Sequence, residues 1–256
     1  DEPNIPVPPA LLWSQTLIRA PQVWNRLGIT GAGIVVGQND SGADVTHLEL
    51  RDNYRGNTAN GPAGDDYNWL DPWNGTATPT DFSGHGTHTL ATAVGANVGV
   101  APGATWIACV NLARNLGNPP RYLDCFQFLL APFPQGGDPF EDGRPDLGAH
   151  VINNSWGCPP QEGCDVDALW PAARALRAAG VFVVAAAGNN GPTCSSIDGP
   201  LAIYDEVFTV GAVDDLRQVA EFSSRGPVTA DGSGRIKPDI AAPGMDYLIA
   251  GAGHLL

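Results

Sequence analysis

Asp81-Phe82-Ser83-Gly84-His85-Gly86-Thr87-His88-Thr89-Leu90-Ala91-Thr92-Ala93-Val94-Gly95 is the stretch from which the rest of the sequence is best read. Two histidines stand among small residues, and the run passes into Thr-Leu-Ala-Thr-Ala-Val, the composition of a thin buried helix. Such a helix can lie close to a sheet, and Gly84 and Gly86 let backbone or substrate approach His85. His85 is thereby expected at a helix N-terminus, held by the core yet facing outward. A catalytic base needs such a place, and a purely structural histidine can also fill it. The rest of the chain has to decide.

Working outward, Gly33-Ile34-Val35-Val36-Gly37 predicts a short buried strand running into Asp40-Ser41-Gly42, which puts a carboxylate at the strand's C-terminal end. In open parallel α/β sheets that end is where ligands and catalytic groups gather. Before it, residues 17–27 predict an amphipathic helix closed by Gly28, and residues 1–16, with Pro3, Pro6, Pro8 and Pro9, read as an extended N-terminal arm. Residues 51–80 form a polar excursion rich in Gly, Asn and Pro, carrying Trp69 and Trp73, of the length that often faces substrate. Downstream, strands are expected at 105–110, 150–154, 181–187 and 207–213, with helices at about 122–131 and 167–179. Strands alternating with helices, in nearly continuous apolar runs, predict a parallel sheet covered on both faces. Residues 17–256 are then one domain.

Net charge is −14, from 13 basic and 27 acidic residues, which disfavours a phosphate backbone as partner. No apolar run is long enough to span a bilayer, and none reads as a signal peptide. Five cysteines leave at least one unpaired. Cys158 and Cys164 flank a short loop, Cys109 and Cys125 bracket another, and these two local bridges with Cys194 free are the preferred arrangement, although Cys194 could displace one partner. Disulfides imply an oxidising, extracellular location.

Three polar motifs fall at strand ends or just beyond: Asp40, Ser155-Trp156-Gly157 and Asn189. Singly, each has an ordinary reading, as an Asp-Ser-Gly turn, a strand terminus with a packed indole, and a Gly-Asn-Asn-Gly turn. Together with His85 they supply a set of parts. A base histidine needs a carboxylate to fix its tautomer, which Asp40 could provide from another strand end. Acyl transfer needs a donor aimed at a developing oxyanion, and Asn189 on a Gly-flanked turn suits that task.

In this order the segments resemble the subtilisin-like serine proteases. Val35-Val36-Gly37-Gln38-Asn39-Asp40-Ser41-Gly42 resembles the family's aspartate motif, Gly84-His85-Gly86-Thr87-His88 its histidine motif, and Ala185-Ala186-Ala187-Gly188-Asn189 the motif of the oxyanion-hole asparagine. Asn154-Ser155-Trp156-Gly157 resembles the strand that lines the primary specificity pocket. Phe222-Ser223-Ser224-Arg225-Gly226-Pro227 and Lys237-Pro238-Asp239-Ile240-Ala241-Ala242-Pro243-Gly244 look like the segments leading to the nucleophile. Tyr67-Asn68-Trp69 and Asn153–Gly157 look most like the bacillopeptidase F branch. The resemblance implies a three-layer α/β fold with a mostly parallel central sheet and helices on both faces. It implies Asp40, His85 and Asn189 as catalytic positions. Ser155, Trp156 and Gly157 would form one wall of the substrate pocket and Ala186, Ala187 and Gly188 the other. A polypeptide substrate acted on by a monomer is implied, with no cofactor.

The sequence departs from the family in two places. No Gly-Thr-Ser occurs in the 256 residues, only twelve residues follow Gly244, and no serine follows Ser233. The chain is therefore expected to stop short of its own nucleophile, to lack the helix that nucleophile opens, and to expose apolar surface in its place. A catalytically inactive, truncated family member that binds peptide along Asn154–Gly157 is the alternative. Second, residues 93–100 are too short for the family's calcium loop. Asp52, Asp65, Asp66 and Asp71 read as solvated loop acids, so no metal is assigned and a structural calcium has no recognisable loop. An aspartic protease would need a second Asp-Ser-Gly or Asp-Thr-Gly, and none exists. A zinc hydrolase would need His-Glu-x-x-His, which is also absent.

Overall fold

In the computed structural model, which describes residues 12–59 and 61–245, the apolar runs become seven strands of one sheet. They are β1 (Val35–Asp40), β2 (Trp69–Leu70), β3 (Thr105–Val110), β4 (Val151–Asn154), β5 (Phe182–Ala186), β6 (Phe208–Val213) and β7 (Ile240–Pro243). Their spatial order is β2-β3-β1-β4-β5-β6-β7, and every pairing is parallel. Parallel neighbours need crossovers that return the chain to the same end of the sheet. Helices α3 (His85–Val94), α4 (Pro119–Leu130) and α5 (Trp170–Ala178) lie in those crossovers, behind α1 (Trp13–Leu17) and α2 (Ala20–Leu27). The expected α/β architecture is the one that forms. Strand order reverses at β1, with β3 on one side and β4 on the other, and a crevice opens there at the strands' carboxyl ends.

Alternate residues of each strand serve opposite faces. One face carries Ile107 and Cys109 of β3, Ile152 of β4, and Val183 and Ala185 of β5, covered by Phe126 and Leu129 of α4 and Ala173 and Leu176 of α5. The opposite face carries Val36 of β1 and Trp106, Ala108 and Val110 of β3 under Leu90, Ala91 and Val94 of α3. Among the described residues that second cover does not extend across β5 to β7. There Phe182 and Ile240 are 50% and 49% exposed, and the Phe182 and Phe208 rings lie side by side at 5.4 Å. Burial along β6 alternates strictly, with Thr209, Gly211 and Val213 inside and Phe208, Val210 and Ala212 partly open.

Several boundaries moved for identifiable reasons. Strand β1 runs on through Gln38 and Asn39 to Asp40, because polar side chains there find buried partners: Gln38 Nε2 donates to Thr89 Oγ1 at 2.6 Å, and Asn39 accepts from the Trp156 indole at 3.0 Å. The helix expected at 17–27 is two, with Arg19 between them in the left-handed region. Helix α1 occupies residues expected in the extended arm, and Gln15 ties it down by donating to the carbonyls of Asn97 and Gly99; residues 1–11 of that arm lie outside the described residues. Helix α4 begins early because Asn118 caps it, accepting from Arg121 N at 3.1 Å, and Pro119 fits its first turn.

The 51–80 excursion is anchored inward. Arg55, 2% exposed, donates Nε to Asn68 Oδ1 and its two terminal nitrogens to the carbonyls of Leu147 and Tyr67, all at 2.6 Å. Trp69 is fully buried on edge strand β2. Burial lowers the Arg55 guanidinium pKa to about 10, and those donors keep it tied to oxygen throughout.

Candidate active site

The crevice beside β1 gathers the residues singled out in the sequence. Asp40 is the last residue of β1 and is fully buried. Its Oδ1 accepts from its neighbour's amide, Ser41 N, at 2.6 Å and lies 2.7 Å from Nδ1 of His85. His85 is the first residue of α3, its side chain 45% exposed. With Nδ1 given to Asp40, Nε2 has no protein partner among the described residues, and the ring lines the cleft. The hydrogen bond to Asp40 is the largest influence on the imidazole and holds its pKa above the ordinary value. Burial opposes this, and the charges of Asp40 and Asp81 reinforce it. On the next turn, burial first and the charge of His85 second push His88 the other way.

Two glycines make this approach possible. Gly84 precedes α3 with φ of 84°, the left-handed region that side chains rarely adopt. Gly86 packs so tightly that a Cβ would meet the carbonyl oxygen of Gly42 at 2.1 Å. With glycine before it, α3 has no side chain of its own to cap the free amides of its first turn. They are capped from outside: Gly86 N donates to Ser41 Oγ at 2.9 Å, and Thr87 N to Asp81 Oδ2 at 2.8 Å. Ser41 Oγ donates in turn to Asp81 Oδ1 at 2.9 Å, so one chain of bonds runs from the end of β1 to the start of α3. Burial would raise the Asp81 pKa, but the Thr87 amide and hydroxyl and the amides of Gly84 and Ser83 outweigh it and hold it low. Neither Asp81 nor Ser41 was picked out from the sequence. The signal was local, an aspartate before a helix start whose own cap is glycine.

Asn189 follows β5 on a loop that Ser224 clamps. Ser224 N donates to the Gly188 carbonyl at 2.9 Å, its Oγ accepts from Asn190 N at 3.0 Å, and Gly191 N donates to Phe222 O. Gly188, with φ of 102°, turns the chain there. Asn189 is exposed and lines the same cleft as His85, as do Ala186, Ala187, Gly188, Ser155, Trp156 and Gly157. These six residues differ in what they offer. The Trp156 indole is buried, stacked on Tyr122 at 4.1 Å, and donates to the Asn39 carbonyl at 3.0 Å, so it shapes the wall from behind. Gly157 is exposed, and its main chain bonds no other main chain among the described residues. Cys109 pairs with Cys125 and Cys158 with Cys164, leaving Cys194 unpaired and exposed.

A carboxylate buried behind an imidazole, whose free nitrogen faces a cleft across from an amide side chain, is an arrangement suited to moving a proton while a neighbouring oxygen gains charge. The chain belongs to the subtilase family, whose sequence profile matches residues 31–255. Among curated relatives, it is 37% identical to bacillopeptidase F of Bacillus subtilis (strain 168), an alignment covering 91% of this chain and 16% of that protein. It is 33% identical to the subtilisin-like protease PopC of Myxococcus xanthus, covering 86% and 45%, and 32% identical to subtilisin BL of Lederbergia lenta, covering 91% and 72%. The chain therefore spans less than half the length of the first two.

Proposed function

We propose that this chain is the greater part of the catalytic domain of a serine endopeptidase. His85 takes the proton of a serine hydroxyl at Nε2 and returns it to the leaving amine. Asp40 fixes the Nδ1–H tautomer and faces the imidazolium that forms, and Asn189 donates to the tetrahedral oxyanion. The substrate is a polypeptide lying between Ser155–Gly157 and Ala186–Gly188, where Gly157 offers main-chain groups for an added strand. In this reading the serine lies outside these 256 residues, on a segment that also covers the open strip of β5 to β7. The two disulfides support a secreted protein. No step needs a cofactor or a metal.

The observation that carries this reading is the 2.7 Å pairing of a fully buried Asp40 with His85, with Nε2 free toward the cleft that Asn189 lines. The test uses the full-length protein and internally quenched peptides. Hydrolysis should be blocked by a serine-directed phosphonate and abolished by His85→Ala. Asn189→Ala should lower kcat by on the order of 10²–10³, the magnitude known for such a donor in a subtilisin. Hydrolysis indifferent to the phosphonate would end the serine mechanism. The second reading is a peptide-binding protein without turnover. It predicts peptide binding with no phosphonate labelling.

A further inference from the structure

The cleft that holds His85 and Asn189 has a volume of about 780 Å³, and apart from His85 its ionisable lining is acidic. Glu162 and Asp198 line it, and no lysine or arginine does. Neither carboxylate has a cationic partner among the described residues. The two differ in what they have left to give. Both oxygens of Glu162 are engaged, Oε1 by the Gly117 amide at 3.1 Å and Oε2 by the Tyr122 hydroxyl. Asp198 accepts one long hydrogen bond, from Asn190 Nδ2 to Oδ1 at 3.4 Å, and its Oδ2 is unengaged.

The framework keeps both acids in place. The Cys158–Cys164 bridge closes the loop that carries Glu162, and Cys158 N donates to Pro200 O, joining that loop to the turn that carries Asp198. Asn190 is the sequence neighbour of Asn189, so its bond to Asp198 ties that carboxylate to the loop that carries the proposed oxyanion donor. Uncompensated charge between protein walls focuses the field within a cleft.

We propose that Asp198, supported by the field of Glu162, selects a lysine or arginine side chain immediately before the bond to be cleaved. The inference rests on the peptidase reading of the cleft and adds its substrate class. Asp198 is exposed, so water limits the gain from the ion pair, and the expected preference is about tenfold.

The test measures binding and turnover separately. Hexapeptides ending in Lys, Arg, Leu or Phe are titrated by calorimetry into the full-length protein carrying His85→Ala. Peptides with lysine moved three positions upstream control for general attraction to an acidic protein. Terminal Lys and Arg should bind about tenfold more tightly than Leu or Phe, Asp198→Asn should remove that preference, and Asp198→Lys should shift it to peptides ending in Glu. A preference for Leu or Phe, or a lysine preference unchanged in Asp198→Asn, overturns the proposal. Hydrolysis by the unmodified protein that favours Leu or Phe at that position leaves the peptidase reading standing and removes this one. Asp198-dependent lysine selectivity without hydrolysis does the reverse.

Discussion

At the scale of single residues, the site turns on how Asp40 tunes His85. The imidazole pKa is raised, so the stabilisation it provides is fully present below the unfolded value, near 6.5, and is lost as pH rises through the folded value. Asp40→Asn removes the charge and leaves an amide oxygen, a weaker acceptor, in its place. His85 should then titrate at lower pH, read directly from its imidazole proton resonance. The excess stability of the parent over the variant should also be greater at pH 5 than at pH 8 in thermal melts. A resonance whose midpoint does not move would show that the 2.7 Å contact carries no charge coupling.

At the scale of elements, α3 is set by residues that are not part of it. Asp81 accepts from Ser41, Ser83 and Thr87 and stands where the positive end of the helix favours an anion. Asp81→Ala should cost about 1–3 kcal/mol in urea unfolding, the range for stranding half-buried donors. Asp81→Asn should cost less. Because the Asp81 pKa is depressed, the difference between parent and Asp81→Asn should be present at neutral pH and disappear as pH falls through its folded value. The bounds of α3 were legible because its small residues, its flanking glycines and its histidines all speak locally. The Asp81 cap on Thr87 is local, six residues along the chain, but the Ser41 cap on Gly86 was not legible, since it joins positions 45 residues apart. Strands β2 and β7 were missed for a related reason. Two residues of β2 inside a polar loop, and Ile240-Ala241-Ala242-Pro243 ending in proline, carry no period of their own and become strands only by pairing with β3 and β6.

At the scale of the whole molecule, strand–helix alternation gave the sheet, and the polar motifs at strand ends gave the crevice. The acidic lining of the cleft was illegible, because Glu162 and Asp198 come from loops whose sequences read as ordinary turns until the disulfide and the Cys158–Pro200 bond bring them together. Among the described residues, the exposed apolar strip of β5 to β7 has a measurable result. A polypeptide of these 256 residues should enhance the fluorescence of a hydrophobic dye and self-associate, because large exposed apolar patches attract partners. Replacing Phe182 and Ile240 by threonine should reduce both effects. Dye fluorescence unaffected by that pair would locate the sticky surface elsewhere.

The uneven cover of the sheet also implies an uneven resistance to opening. Backbone amides of β1 and β3 are shielded by α3 on one side and α4 on the other, whereas among the described residues β6 is buried only at alternate positions and β7 at none. Deuterium should therefore enter β7 and β6 first and β1 and β3 last, so that local unfolding travels across the sheet from its open edge toward the strand that bears Asp40.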